Sequence, residues 1–278
     1  MKRSQTRVSM PMQPRERANW FDTEGNLYVS PPTTSLSDSV VGMCVAQTDQ
    51  TPLEAFAKGM ALDGIASRVE RKLDNGDGYR LTIDRVEDIA TELSLEIPYF
   101  RTRRKIVEIR SFLSYLERPR ALERDPIRRA RKLACEWNLP AAPSRSPMNR
   151  ADRANWHETE GCLSVGPRSF LTKSGAEFLI SQFEKEPLQD FVAGCAKDGI
   201  SCSIHHREVA AGIEYYARIR RLDQIALEIS QEIPFLRLRK TMNQVKTFED
   251  YIWMPRKRVS DSLEVARDVL GRGPTAGV

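Results

Sequence analysis

Two glutamates, Glu24 and Glu160, are the residues of this chain whose type and spacing are best suited to chemistry. Each is the last acid of a motif that occurs twice, as RANWFDTEG over residues 17–25 and as RANWHETEG over residues 153–161, 136 positions later. We expect each glutamate at the C-terminal end of a short helix that stops at the following glycine. The helix dipole disfavours an anion there unless a cation compensates, and carboxylate oxygens suit Mg²⁺. The duplication therefore predicts a symmetric metal site for a symmetric polyanion.

The segments that must position these glutamates are duplicated as well. Hydrophobic alternation and helical spacing predict the element order α-β-β-α-β-β-α in each copy. The predicted strands are 26–30, 40–46, 65–72 and 79–83, with a hairpin turn at 74–78, then 162–165, 177–181, 200–207 and 214–219. The predicted helices are 15–24, 51–60, 86–96 and 97–116, then 188–196, 222–231 and 234–253, with two more near 125–137 and 261–270. The fold class is α+β, and each copy has a four-stranded antiparallel sheet with one face covered by helices and one face open.

The length of the chain fits two modest domains, each with its own core. It has 278 residues, of which 40% are hydrophobic and 29% charged, as is usual for globular proteins. The expected divisions are an N-terminal extension at 1–14, a first repeat at 15–117, a connector with a basic helix at 118–147, a second repeat at 148–255, and a basic C-terminal helix and tail at 256–278.

Charge distribution and cysteine content limit the classes of partner and of metal site that the chain could have. The net charge is +5, and the cations cluster at 101–105, 128–132, 237–240 and 256–258. Clustered cations favour a phosphate backbone, although each cluster alone fits a solvated helix face equally well. Five cysteines without Cys-x-x-Cys spacing argue against zinc and against a disulfide framework, and the adjacent pair His205–His206 is a poor metal site because neighbouring strand residues face opposite ways.

No stretch of the sequence predicts membrane insertion or secretion. No apolar run approaches the ~20 residues that span a bilayer, and the basic N-terminus lacks a following apolar region. We therefore expect an intracellular protein without a membrane partner, located in the cytoplasm or nucleoid, or in an organelle if an organelle encodes it.

The duplicated motif resembles that of the LAGLIDADG homing endonucleases in their two-motif, single-chain form. The resembling residues are 18–25 and 154–161, together with IPYFRTR at 97–103 and IPFLRLR at 233–239. The resemblance covers about residues 10 to 255 and implies two pseudo-twofold repeats, paired motif helices at their interface and sheets that form a DNA-binding saddle. It further implies a monomeric, intron-encoded, site-specific endonuclease that makes a staggered break in a long pseudo-palindromic DNA by metal-assisted phosphodiester hydrolysis.

The resemblance also assigns roles to residues. The last acid of each motif binds the divalent metal, a polar residue at the end of the second strand orients the attacking water, and a basic residue five positions after the proline stabilises charge at the scissile phosphate. The earlier acids, Asp22 and Glu158, support the helix end. The implied catalytic residues are Glu24, Glu160, Gln47, Gln182, Arg103 and Arg239, with Glu24 and Glu160 as the Mg²⁺ ligands.

The chain departs from the family motif in the same way in both copies. Arg17 and Asn19 replace the usual leucine and glycine in the first copy, as Arg153 and Asn155 do in the second. The water-network lysine of the family is an arginine in both copies, and an arginine cannot act as a base.

The open face of each sheet is predicted to read DNA, because two-stranded ribbons fit the major groove. With Leu27, Val29, Val69, Leu81 and Ile83 taken as core-facing, alternation along the strands gives the outward set. Each member alone could equally be a solvated strand position. The predicted DNA-binding residues are Asn26, Tyr28, Ser30, Arg68, Glu70, Lys72, Arg80 and Thr82, then Ser164, Ser203, His205, Arg207, Tyr216 and Arg218.

Two other functions remain open at this stage. A non-cleaving nucleic-acid binder on the same fold, such as an RNA-splicing maturase with an intron RNA as its partner or a regulator, would keep the sheets but need no metal. A structural adaptor fits the open basic sheets less well. The acids retained in both motifs favour the nuclease that acts on double-stranded DNA.

Overall fold

The computed structural model describes residues 10–30, 40–71, 78–118, 125–143, 145–166, 175–254 and 260–271. These residues form two compact units, one before and one after residue 144, and each unit contains one copy of the motif. Lys72, nearly all of the predicted turn at 74–78 and the basic cluster at 256–258 lie outside the described residues. Within the described part of the chain, no helix is long and apolar enough to cross a membrane.

The first unit has the predicted element order, with one difference. Its elements are α1 (Pro14–Glu24), β1 (Gly25–Ser30), β2 (Val40–Gln47), α2 (Gln50–Leu62), β3 (Arg68–Arg71), β4 (Tyr79–Ile83), α3 (Val86–Glu96), a 3₁₀ turn (Ile97–Tyr99), α4 (Arg103–Glu117) and α5 (Asp125–Ala134). The prediction of one helix over 97–116 is wrong. The chain is extended at Phe100 and at Thr102, whose side chain caps the N-terminus of α4.

The second unit repeats this order, and its segment 234–253 is divided in the same way. Its elements are α6 (Arg150–Glu160), β5 (Gly161–Val165), β6 (Ala176–Gln182), α7 (Lys185–Lys197), β7 (Ser203–Val209), β8 (Gly212–Ile219), α8 (Leu222–Glu232), a 3₁₀ turn (Ile233–Phe235), α9 (Arg239–Trp253) and α10 (Asp261–Val269). Strand β7 begins at Ser203 rather than at Ile200, because the Ile200 amide donates to the Cys195 carbonyl and closes the end of α7.

Each unit has one antiparallel sheet, with strand orders β1-β2-β4-β3 and β5-β6-β8-β7. The α+β prediction is confirmed. Alternation along the strands sends apolar side chains such as Met43, Leu81, Phe178 and Ile219 into the core beneath the helices. The residues between them occupy the opposite face, which is the open face of each sheet.

A buried ion pair holds each motif helix inside its own unit. Arg17 Nε lies 2.6 Å from Glu92 Oε1 and one Nη lies 3.0 Å from Glu92 Oε2, so that the contact is bidentate. Arg17 also donates to Asp63 Oδ2 at 2.6 Å and to the Met12 carbonyl at 3.0 Å. The arginine that replaces the family's leucine therefore links α1 to α3 and to the end of α2.

The second unit repeats this ion pair. Arg153 contacts Glu228 at 2.6 Å and Asp198 at 2.7 Å. A Cβ on Gly194 would lie 2.2 Å from the Met148 carbonyl oxygen, so only glycine lets α7 approach the start of α6 this closely. Nothing in the structure explains the asparagine at position 155 or at its equivalent in the first copy.

Removing one member of this ion pair should cost much more than removing both. We expect Arg17→Met to lower the free energy of unfolding by about 3–5 kcal/mol, because Glu92 is left charged and buried without its partner. The double variant Arg17→Met/Glu92→Met should lose clearly less. Chemical denaturation of both variants measures the difference, and equal losses would contradict a dominant ionic contribution.

A second buried acid distinguishes the two units. Glu96 is fully buried, and neither of its carboxylate oxygens has a hydrogen-bond partner among the described residues. Its equivalent Glu232 lies 2.7 Å from Nδ1 of His157, where the first unit has Phe21. Burial and the charge of Glu92 raise the pKa of Glu96 well above its usual value. The folded protein therefore favours the protonated, neutral form of the Glu96 carboxyl group.

Glu96 should make the protein less stable as the pH rises. The folded state holds this proton at pH values where the unfolded chain has released it, so the penalty begins above the usual glutamate pKa and is complete above the raised one. We expect Glu96→Gln to match the wild type near pH 4 and to be more stable at pH 8. Thermal unfolding across this range tests the prediction, with Glu264→Gln on the exposed face of α10 as the control that should show no such trend.

Candidate active site and nucleic-acid interface

Glu24 and Glu160 are the last residues of α1 and α6, as predicted, and both are half-buried. The chain passes directly from each glutamate into a strand. Gly25 follows with a φ of −85° and Gly161 with −99°, so neither adopts the left-handed conformation that usually ends a helix at glycine. A Cβ on Gly25 would lie 1.9 Å from the Phe21 ring. Glycine is needed here for close approach of the backbone and not for a turn.

Gln47 and Gln182 end the strands β2 and β6. In the second unit the Gln182 amide nitrogen donates to Glu160 Oε1 at 3.3 Å, so the structure brings these two predicted residues together. Each glutamine oxygen accepts the backbone N–H of the next residue at 2.9 Å. These hydrogen bonds fix the orientation of both amide groups.

The earlier acids of the motifs hold the segments that precede α4 and α9. The Asp22 carboxylate accepts the backbone N–H of Arg101 at 2.7 Å and that of Thr102 at 3.3 Å. Glu158 accepts the corresponding N–H groups of Arg237 and Leu238. Burial raises the pKa of Asp22 to about 6, and the hydrogen bonds from Thr102 and Arg101 oppose that shift.

Arg103 and Arg239 follow directly on these anchored segments. They are the first residues of α4 and α9, and both are exposed. Each predicted arginine is therefore tied through two backbone amides to the same motif helix that carries the glutamate. Neither arginine is buried, so both side chains can meet a ligand from solvent.

Two cations that were not among the predicted site residues cap the end of α1. Arg104 donates to the carbonyls of Asp22 and Thr23 at 3.1 Å each. Lys105 is fully buried, donates to the Gly25 carbonyl at 2.6 Å and lies 4.2 Å from the centre of the Phe21 ring. Cations stabilise a helix C-terminus, which is the compensation that Glu24 requires. Both cations belong to the basic cluster at 101–105, which is the sequence feature that could have indicated them.

The oxygens at these helix ends fit a hard divalent cation only in part. Each unit supplies one glutamate carboxylate at a helix end and one glutamine amide at a strand end, and the two are in contact in the second unit. Among the described residues no group of three or more His, Cys, Asp or Glu side chains could hold a metal. Oxygen donors suit Mg²⁺ and not a thiolate-bound metal. The remaining ligands would have to be water and the phosphate oxygens of a nucleic acid.

The open face of the first sheet carries most of the predicted DNA-binding residues. Asn26, Ser30, Arg68, Glu70 and Arg80 are exposed there. Strand pairing aligns residues 26, 44, 82 and 68 in one row across the sheet. The exposed residues lie on β1, β3 and β4 and form a polar surface there.

Two predicted members of this face are less accessible than expected. Tyr28 is half-buried and lies over Gly42, where a Cβ would come 2.3 Å from the tyrosine oxygen. Thr82 is only 8% exposed, because it lies in a central strand between residues of both neighbouring strands.

The open face of the second sheet differs chemically. Ser164, Ser203 and Arg207 are exposed, whereas His205 and Tyr216 are half-buried and stack on each other with their ring centres 5.5 Å apart. Arg218 departs from the prediction of an exposed side chain. It is 8% exposed because it forms an ion pair with Glu177, which faces the same side of the neighbouring strand.

Comparison with known proteins identifies the fold. No family model matches the sequence, and no curated protein matches it. Among solved structures, the chain has the fold of the LAGLIDADG homing endonucleases of the single-chain type.

The individual structural relatives cover nearly all of the chain. The meganuclease I-SmaMI bound to uncleavable DNA has a TM-score of 0.56 and 12% identity over 98% of this chain and 100% of its own. I-AabMI bound to uncleaved DNA has a TM-score of 0.55 and 12% identity over 93% and 98% of the two chains. I-LtrWI bound to target DNA has a TM-score of 0.54 and 14% identity over 95% and 98%. At such identities the likeness establishes the fold.

Removing the Asp22 carboxylate should release the segment before α4. We expect Asp22→Ala to increase hydrogen exchange at the amides of Arg101 and Thr102 by roughly 10- to 150-fold, the equivalent of about 1.5–3 kcal/mol for bonds to a charged acceptor. Glu158→Ala should do the same at Arg237 and Leu238 and leave the first unit unchanged. Exchange measured by NMR tests both variants, and uniform loss of protection throughout the unit would contradict a local role.

Proposed function

We propose that this protein is a site-specific DNA endonuclease that makes a staggered double-strand break by divalent-metal-assisted hydrolysis. The target would be a long, imperfectly palindromic duplex, and the protein would act as a monomer, with one unit for each half-site. The observation that carries the proposal is the repeated helix end, where Glu24 and Glu160 each lie at the junction of a motif helix with a strand. The likeness to nucleases whose structures contain DNA supports the choice of partner.

The open sheet faces supply the surface for DNA. Strands in the major groove present alternate side chains to base edges, and the exposed polar residues on both faces have that spacing. The faces differ between the units, so the two half-sites would differ in sequence. Exposed arginines in both units would contact phosphates, which position the duplex without reading it.

The residues at the helix ends have separate roles in this proposal. Glu24 and Glu160 would each hold Mg²⁺, which when bound supplies an activated water and stabilises charge on the phosphate oxygens. Gln182, held by its bond to Glu160, would orient the water, and Gln47 would do so in the first unit. The guanidinium groups of Arg103 and Arg239 would stabilise negative charge at the scissile phosphate, where donors fixed in advance are most effective.

Substitution of the two glutamates tests the proposal. The target is first recovered by selection from randomised duplex DNA, and cleavage of a plasmid carrying it is then measured with Mg²⁺. We expect Glu24→Gln and Glu160→Gln each to slow the double-strand break by at least about 100-fold, since metal-assisted charge stabilisation amounts to several kcal/mol. Glu16→Gln, in the first turn of the same helix α1, is the control and should cleave normally.

The outcomes separate cleavage from binding. If the wild type binds a selected target but never cuts it in Mg²⁺ or Mn²⁺, the protein is a non-cleaving binder and the endonuclease proposal is wrong. If both glutamine variants cut at the wild-type rate, the helix ends are not the metal site.

A further inference from the structure

The two open faces carry different residues at three equivalent positions. In the first unit Tyr28 covers Gly42, and Thr82 lies beside them in the central strand. In the second unit the same three positions hold a serine, a glutamate and an arginine. The substituted residues are Ser164, Glu177 and Arg218. A tyrosine over a glycine has been replaced by an ion pair beside a serine.

Arg218, which occupies the position of Thr82 in the first unit, is already bound to another side chain of the protein. Arg218 pairs with Glu177, and each side chain is only 9% exposed. Turning Arg218 towards a base would leave Glu177 in a nearly buried position without its counter-charge, which is strongly unfavourable. The ion pair therefore occupies the centre of this face, and the guanidinium donors of Arg218 are not available to DNA bases.

Arg80 in the first unit is in the opposite situation. It lies in β4, a central strand, and is exposed on the open face. Its cross-strand neighbour Glu70 is engaged by Arg68 at 3.2 Å. Among the residues that the structure describes, the Arg80 side chain has no hydrogen bond or ion pair. Its guanidinium is available, and its position on the sheet is set by two flanking strands.

The residue equivalent to Arg80 in the second unit is Tyr216. Both are aligned in the same way with the neighbouring edge strand, Arg80 opposite Glu70 and Tyr216 opposite His205. Tyr216 stacks on His205, and Ser203 lies 2.9 Å from His205 Nε2. This cluster presents hydroxyl and imidazole groups, which lack the rigid two-donor fork of arginine.

We propose that Arg80 is a specificity-determining residue that reads a guanine in the half-site bound by the first unit. An arginine fork matches the O6 and N7 acceptors of guanine in the major groove, whereas no other base offers this pair of acceptors. At the pseudo-symmetric position of the other half-site, Tyr216 imposes no guanine requirement. This inference rests on the proposed DNA-binding function. It states how the two half-sites of the target would differ in base preference.

Binding selection from randomised duplex DNA tests the inference without cleavage. The wild type, Arg80→Gln and Tyr216→Arg are each selected in Ca²⁺, and base preference is compared position by position. Arg80→Gln should change a guanine preference at one position to adenine, which glutamine contacts with two bonds, by roughly 5- to 150-fold. Tyr216→Arg should add a guanine preference at the symmetric position of the other half.

The outcomes distinguish this inference from the proposed function. Arg207→Gln, on the open face of the second unit, is the control and must leave the first half-site unchanged. Circular dichroism confirms that the exposed substitutions leave the fold intact. If Arg80→Gln selects the same sequence as the wild type, Arg80 is not a base reader, although the nuclease proposal stands. If the wild type selects no sequence at all, the proposed function fails and this inference fails with it.

Discussion

The buried ion pair between the motif arginine and a helix acid is the constraint on which the rest of each unit depends. Arg17 and Arg153 reach Glu92 and Glu228 across 75 residues of sequence and form the same bidentate contact in both units. A motif helix of about three turns is thereby fixed near its start. The earlier acid fixes it near its end by binding the segment before the next long helix, as Asp22 does. Glu24 lies two residues beyond the second anchor, at the end of a helix that is held near its start and near its end.

The two units share the contacts that hold the motif helix but differ on their open sheet faces. The anchors, the glutamates and the strand-end glutamines recur in both units, whereas the open faces do not. A core resists change because its contacts are dense and mutually dependent, but an exposed strand position can change at little cost to stability. Duplication followed by divergence on the exposed faces would keep one chemistry and split recognition. Phe21 and His157 occupy equivalent buried positions with different surroundings, because Phe21 lies against Lys105 and His157 contacts Glu232.

Most elements could be predicted because their signals are local. Alternation identified the strands to within a few residues, and the positions of Glu24 and Glu160 at helix ends followed from the glycine after each. The glycine at 25 is required by the close approach of the Phe21 ring and not by a left-handed conformation, because its backbone is extended. The break before α4 was missed, since it depends on Asp22, 79 residues away from the amide it binds. No pattern within a short window contains such a contact.

The sequence by itself determined the duplication, the α+β order, the repeated carboxylates and the polar spacing of the strands, because each of these is written in residue types at short range. Only the tertiary structure decided which charges are committed and which are free. Arg218 and Arg80 are both outward-facing arginines by their strand pattern, yet one pairs with Glu177 and the other is exposed. Their difference arises from strand register, which places distant side chains side by side and so decides where a charge is neutralised.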